Sequence, residues 1–371
     1  MPTIDRKLKL LRGLLTGKTA FAGPFGVTVD VTRRCNLRCF GCPTHSPLVK
    51  DRKSFDPAAQ DLDVDMFERL CRELQTMDTT TMAICGDGEP LLHPRVPDLI
   101  RLANDAGFRT VLLTNGTLLD EATARSLVEN RLNQLRVSLW ASSADEYELN
   151  YPGTNPGFFD RVVSGLRRVS AVKAAQKTSL PIVTVHRVIS RHNVHGTDSF
   201  IDLALETGCN GVSFSPLHTV FGQLDSHGLS REEEELVRVK LLRAKKKLNS
   251  FDMEHNIDEA ILRYKIGADF RQKFPCYIGW LNCRVKVDGT VRPCNACDWP
   301  AGNFRDQSFH EIWNGPAYQS FREELLLRDS AEASRRCDCT YCCFTGEILR
   351  VHRFYKWLSP LSHVLGSWGT S

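Results

Sequence analysis

No stretch of 18 uncharged apolar residues occurs in this 371-residue chain, so no membrane-spanning helix is expected. An A-x-A cleavage site behind a long apolar core is also missing. The basic, leucine-containing start (Arg6 to Leu15) is therefore not expected to act as a secretory signal, and a cytoplasmic location is the expectation. Neither sign of charge dominates. A net charge of +4 is too small to argue for nucleic acid, and no nucleic-acid partner is expected. No low-complexity segment or fixed-period repeat is found. With 42% hydrophobic and 25% charged residues the composition is that of an ordinary globular protein, which excludes a mainly disordered or fibrous chain. At about 150 residues per domain, the length predicts two or three domains.

What the sequence has in excess is cysteine, 14 in all. An exported protein uses such numbers for disulfides, and a cytosolic one keeps them reduced for metal binding or catalysis. The expected location favours the second use, and so does their grouping. Three fall between 35 and 42, and eight between 276 and 343. Cys71, Cys85 and Cys209 stand alone and read as buried small apolar residues.

Between about 25 and 217, β-rich runs alternate with helix-period stretches. Strands are predicted at Phe25–Thr32, Thr80–Cys85, Thr110–Thr114, Gln134–Trp140, Ile182–Ile189 and Gly211–Ser215. Helices are predicted near 64–76, 95–106, 120–130, 158–176 and 198–207, with Asp63, Asp65 and Asp120 as N-terminal caps and Gly107 and Gly208 as stops. This alternation implies an α/β fold, a partial (β/α)6 TIM-like barrel over 25–218 whose active site lies at the C-terminal strand ends. An amphipathic extension (1–24) precedes it. A helical connector (219–275) follows, in which Arg231–Lys247 runs from acidic to basic and reads as a solvated helix. The last parts are a cysteine-rich domain (276–343) and a basic amphipathic tail (344–371).

The first cysteine group is Cys35-x3-Cys39-x2-Cys42, followed by Pro43, directly after the first strand. Three thiolates in one tight loop suit three irons of a [4Fe–4S] cube and leave one iron with an open position. Structural zinc is the alternative, but it needs a fourth ligand, for which only His45 is at hand. A C-x3-C-x2-C run placed after the first strand of a βα barrel resembles the radical S-adenosylmethionine (SAM) family. The resemblance covers roughly 25–343. It implies that Cys35, Cys39 and Cys42 ligate a cluster whose open iron binds SAM. Reductive cleavage then gives a 5′-deoxyadenosyl radical that abstracts hydrogen from substrate. It also implies an electron donor such as flavodoxin or ferredoxin. Phe40 stands where the family often places an aromatic near adenine. Gly86-Asp87-Gly88-Glu89-Pro90 resembles the family's G-G-E-P loop for the methionine amino group, except that Asp87 replaces the first glycine. Asn115, after Thr114, and Ser138 resemble positions around the SAM carboxylate and ribose.

The second group holds Cys276, Cys283, Cys294, Cys297, Cys337, Cys339, Cys342 and Cys343, with a D-G hairpin turn at Asp288-Gly289. Cysteine, then G-x4-C, then C-x2-C resembles the SPASM/twitch extension. The resemblance implies one fully ligated auxiliary [4Fe–4S] cluster on Cys276, Cys294, Cys339 and Cys342. Cys283, Cys297, Cys337 and Cys343 are then partly buried thiols or, alternatively, a second auxiliary cluster. A zinc ribbon on Cys294-x2-Cys297 and Cys339-x2-Cys342 is the other alternative.

Alternation puts one of His186 and Arg187 inside the barrel, and the inward one is the candidate substrate base or anchor. Trp140 and His218 also lie at strand ends. The two terminal segments are expected to pack on the barrel rim, with peripheral membrane contact as the alternative. The expected chemistry is radical oxidation of a small polar metabolite of the sugar or cyclitol type, with the auxiliary cluster accepting an electron. Peptide or protein modification is a second reading, and a non-enzymatic iron–sulfur or zinc binding module a third.

Overall fold

The computed structural model describes residues 4–50, 60–267, 270–327 and 330–358. Its strands are β1 (Gly26–Asp30), β2 (Thr81–Cys85), β3 (Arg109–Thr114), β4 (Gln134–Ser138), β5 (Ile182–Ile189), β6 (Gly211–Pro216), β7 (Glu254–His255), β8 (Asn282–Val285), β9 (Thr290–Arg292) and β10 (Gly302–Asn303). Helix α1 (Ile4–Thr16) precedes β1. Between the strands run α2 (Val64–Gln75), α3 (Val96–Asp105), α4 (Glu121–Glu129), α5 (Ala144–Asn150), α6 (Phe158–Ala175) and α7 (Thr197–Glu206). The connector contains α8 (Arg231–Ser250), α9 (Ile257–Ile266) and α10 (Phe270–Lys273). The C-terminal part contains α11 (Phe309–Trp313), α12 (Pro316–Leu326), α13 (Ala331–Arg336) and α14 (Thr345–Leu358).

All ten strands form one sheet in the order β10-β9-β8-β1-β2-β3-β4-β5-β6-β7. Every pair from β8 through β7 is parallel, and only β8–β9 and β9–β10 are antiparallel. The six predicted strands are present as a partial barrel. The cysteine-rich segment is continuous with it, because β8 adds beside β1. Asp288-Gly289 makes the β8–β9 turn, with Gly289 at φ +85°, a backbone state open to glycine.

The helix-facing sides of the strands are apolar. Val27, Val29, Met82, Ile84, Leu112, Leu135, Val137, Val183, Val185, Val212, Phe214 and Val285 are all almost fully buried. The opposite faces carry the polar residues described below. Asp63 and Asp120 cap α2 and α4 as expected, accepting from Asp65 N and Thr123 N. Helix α8 has a capping box between Ser230 and Glu233. It is not uniformly solvated, because Val237, Leu241, Ala244 and Leu248 form a buried stripe.

Helix α1 buries Arg6, Leu11 and Leu14, and the Arg6 guanidinium donates to the Gly23 and Pro24 carbonyls at 3.1 and 3.0 Å. Ile348 and Leu349 of α14 are buried as well. Helix α1 packs on the segment before β1 and the turn at Ile278–Trp280, and α14 packs on α9. The tail beyond 358, including Leu361, lies outside the described residues. Among the described residues, no helix is long and apolar enough to cross a membrane.

Candidate active site

The cluster loop leaves the end of β1 and is fixed from two sides. Leu62 N donates to Val31 O at 2.8 Å, Arg33 N to Gln60 O at 2.8 Å, and Arg34 pairs with Asp61 at 2.8 Å. On the other side, Gly88 N donates to Thr32 O at 3.0 Å and Glu89 N to Arg34 O at 2.8 Å. A Cβ at Gly88 would lie 2.1 Å from Arg34 O, so only glycine permits this contact between the two loops. The two motifs that are separate in sequence thus form one backbone unit.

Cys35, Cys39 and Cys42 are free thiols. Cys42 Sγ accepts from Thr44 N at 3.4 Å and His45 N at 3.2 Å. Burial pushes the Cys35 thiol up to about 11, and raises Cys39 and Cys42 too, with Cys39 and Cys35 further raised by their neighbouring thiols. Thiolates in this loop therefore need a compensating positive charge. Among the described residues, no three His, Cys, Asp or Glu side chains converge on a single ion. Three thiols suit three irons of a [4Fe–4S] cube, whereas structural zinc takes four ligands, so the donor set itself fits the cluster.

Phe40 is buried against Trp140, His192 and His227, with ring centroids 6.0, 5.0 and 5.3 Å away. Glu89 is buried and accepts from Thr114 Oγ1 at 2.6 Å, Asn115 N at 2.6 Å and Leu91 N at 3.0 Å. Burial still raises its pKa against these three donors. Pro90 starts a short 3-10 turn behind it. Asn115 donates to Asn36 Oδ1 at 2.9 Å, which joins the end of β3 to the cluster loop.

Asp87, where the family has glycine, has a specific partner set. It is buried in a charge tetrad with Asp30, Arg284 and Lys286. Arg284 donates to both oxygens of Asp30 at 2.6 and 2.7 Å and reaches Asp87 at 3.3 Å. Lys286 pairs with Asp30 at 2.9 Å and also with Asp87. Sequence reasoning missed this tetrad. Its only signal was the acidic residue at an expected glycine.

His186 faces the lumen, with Nδ1 2.8 Å from Ser213 Oγ and Nε2 3.1 Å from Ser215 Oγ on β6. Burial, helped by Arg136 and Arg263, pushes it down to about 3, so the imidazole is neutral and a weak base. Arg187 turns outward. It is fully buried between α5 and α7, donating to Glu146 at 3.1 Å and to the Asn193 carbonyl. The expectation of a catalytic Arg187 is corrected, since its fixed partners cover the outer face of the sheet. Ser138 pairs in register with His186, and its hydroxyl accepts from Trp140 Nε1 at 2.9 Å. His218 leaves the pocket for Asp338, at 3.2 Å.

In the C-terminal part, Cys276, Cys294, Cys339 and Cys342 lie close enough for their charges to act on one another, and Cys343 joins them. Burial raises the first four, Cys276 to about 11 and Cys339 to about 12, whereas Cys343 is exposed rather than a buried thiol. Cys297 and Cys337 face each other across an antiparallel bridge and form a disulfide. Cys283 is buried beside Tyr318. In this arrangement Cys283, the Cys297–Cys337 pair and Cys343 do not come together as one set of four free thiols. A zinc ribbon would draw on Cys297, which is paired with Cys337 here. Cys297 and Cys337 are a bonded pair rather than free thiols.

Comparison with known proteins agrees with this geometry. The profile of the radical SAM superfamily matches residues 29–204, and that of an iron–sulfur cluster-binding domain, SPASM, matches 276–347. A PqqA peptide cyclase of Ruegeria pomeroyi is 28% identical over 87% of this chain and 82% of its own. An AdoMet-dependent heme synthase of Methanosarcina barkeri is 26% identical over 84% of this chain and 87% of its own. The crystal structure of Streptococcus suis SuiB bound to its precursor peptide SuiA superposes with a TM-score of 0.66 at 14% identity, covering 91% of this chain and 74% of that one.

Proposed function

The chain belongs to the radical SAM superfamily and carries a SPASM domain, and from that premise we propose that it modifies a peptide by hydrogen abstraction inside the barrel lumen. The observation that carries the radical reading is the union of two loops. The Thr32–Arg34 backbone that leads into the three free thiols accepts hydrogen bonds from Gly88 N and Glu89 N at the mouth of a polar lumen. When bound, a cluster on Cys35, Cys39 and Cys42 would supply the electron that cleaves SAM to a 5′-deoxyadenosyl radical, and a closed cluster on Cys276, Cys294, Cys339 and Cys342 could accept the electron left on the substrate radical after hydrogen abstraction.

The protein's own groups set the rest. Glu89, locked by Thr114 and Asn115, gives a fixed carboxylate beside the cluster loop, suited to an ammonium group. Asn115, Ser138 and the Phe40–Trp140 wall lie around the same opening and suit the remainder of SAM. His186, neutral and bonded to two serines, is a hydrogen-bonding group in the substrate chamber rather than a strong base. The proton lost in a net oxidation must therefore pass to another acceptor.

The peptide reading takes precedence over a small sugar-like metabolite because relatives named for a peptide substrate align over most of the chain. An electron donor of the flavodoxin or ferredoxin type belongs to the same proposal. The test is transfer of deuterium into 5′-deoxyadenosine. Reconstituted, reduced protein is offered deuterated peptides and deuterated sugar alcohols. Label arriving only from sugar alcohols overturns the peptide assignment, and label from peptides supports it.

A further inference from the structure

Among the described residues, several basic side chains lie on the lumen face or its rim, and most have partners; Arg109 donates to Gln134 Oε1 at 3.1 Å. Arg284 and Lys286 are balanced by Asp30 and Asp87. Arg263, on α9, donates to the Tyr341 carbonyl at 2.7 and 3.3 Å. Arg136 differs. It lies on the lumen face of β4, one side-chain layer below Ser138, roughly 6–7 Å along the strand. Its register neighbours, Leu113 and Thr184, carry no charge. Its Nε is buried with no hydrogen bond, and it makes no ion pair among the described residues. The imidazole of His186 in the layer above is neutral and cannot balance it.

The charged and titratable groups near Arg136 are Arg109, Cys85 and, more weakly, Glu347 in the first turn of α14. Glu347 reaches Arg350 only at 3.7 Å, and its Oε2 is also buried without a hydrogen bond. Arg136 Nε and Glu347 Oε2 are thus both buried without a hydrogen bond, and neither satisfies the other. Leaving such groups unbonded is costly. A guanidinium presents a planar fork that matches a carboxylate.

We propose that Arg136 binds a carboxylate of the substrate within the lumen. The substrate class this selects is a peptide unit with an acidic side chain or a terminal carboxylate. The inference rests on the radical reading only in placing the substrate in the lumen.

The test is anaerobic calorimetry on the full-length, reconstituted protein with SAM present. Four probes are compared. N-acetyl-glutamate N-methylamide is set against its glutamine analogue, and N-acetyl-alanine against its N-methylamide. In one of the two pairs the acid should bind at least tenfold tighter than the neutral partner, and that pair identifies the source of the carboxylate. Arg136→Gln should erase the preference and Arg136→Lys retain part of it. Equal binding of acid and amide in both pairs, or no binding of either acid, overturns the proposal. So does a preference that survives Arg136→Gln. Should Arg136→Gln fail to fold, the unmutated comparison still decides. SAM cleavage by the same unmutated preparation tests the radical reading separately. Cleavage without acid preference refutes only the Arg136 assignment, and preference without cleavage refutes only the radical reading.

Discussion

Replacing Asp87 by the family's glycine should destabilise this protein, although the family norm suggests the opposite. The tetrad holds two carboxylates and two cations, nearly all buried. Burial opposes ionisation of Asp30, but Arg284 and Lys286 outweigh it and hold its carboxyl below the usual range. Asp87→Gly removes one acid and leaves Arg284 and Lys286 sharing Asp30. Breaking a buried pair costs about 3–5 kcal/mol when one partner is stranded. Here Lys286 keeps Asp30 at 2.9 Å, so a loss of about 2–4 kcal/mol is expected. Lys286→Met alone leaves two acids on Arg284 and should also destabilise. The double variant Asp87→Gly/Lys286→Met retains the two-pronged Asp30–Arg284 pair with balanced charge and should recover most of the loss. Denaturant unfolding of the four proteins gives the coupling energy directly. An Asp87→Gly protein as stable as the parent, or strictly additive effects, would refute the reasoning.

Further outcomes follow from the same geometry. Cys35→Ala, Cys39→Ala or Cys42→Ala should abolish SAM cleavage, whereas Cys339→Ala or Cys342→Ala should lower iron by about one cluster, roughly four irons, and leave some cleavage. Iron analysis and 5′-deoxyadenosine assay check both. Cys297→Ser/Cys337→Ser should keep its full iron content, because that pair bonds to itself; loss of a cluster contradicts this. Glu89→Ala strands Thr114 Oγ1 and Asn115 N and should weaken SAM binding by roughly tenfold or more, on the scale of a hydrogen bond to a charged group. His186 has a folded pKa near 3 against an ordinary value of 6.5. Its contribution to stability is therefore complete above pH 6.5 and is lost as pH falls from there toward 3. The denaturation midpoint of His186→Gln should fall less over that window than the parent's, and an equal fall refutes the assignment.

Local patterns carried the barrel. Alternation and capping residues placed the six strands and the helices between them, and Cys-x3-Cys-x2-Cys at the end of β1 located the cluster loop. Contacts between distant segments were not legible. Arg284 and Asp30 are 254 positions apart, and no local rule pairs them. Strand parity alone could not choose between His186 and Arg187, because the choice depends on Glu146 of α5, a short helix that the reading omitted. Its cap, Ser143 accepting from Glu146 N, was visible in the sequence. β8 was hidden for another reason: four residues after a long connector do not announce that they will extend the sheet beside β1. Likewise, nothing in the spacing of Cys297 and Cys337 showed that they would meet.

The most direct measurement is the metal content and SAM reactivity of anaerobically purified, reduced protein. Iron near eight per chain, falling by about half in Cys35→Ala, together with 5′-deoxyadenosine release from SAM, is the predicted result. Colourless protein with zinc in the Cys35–Cys42 loop and no release of 5′-deoxyadenosine would contradict it.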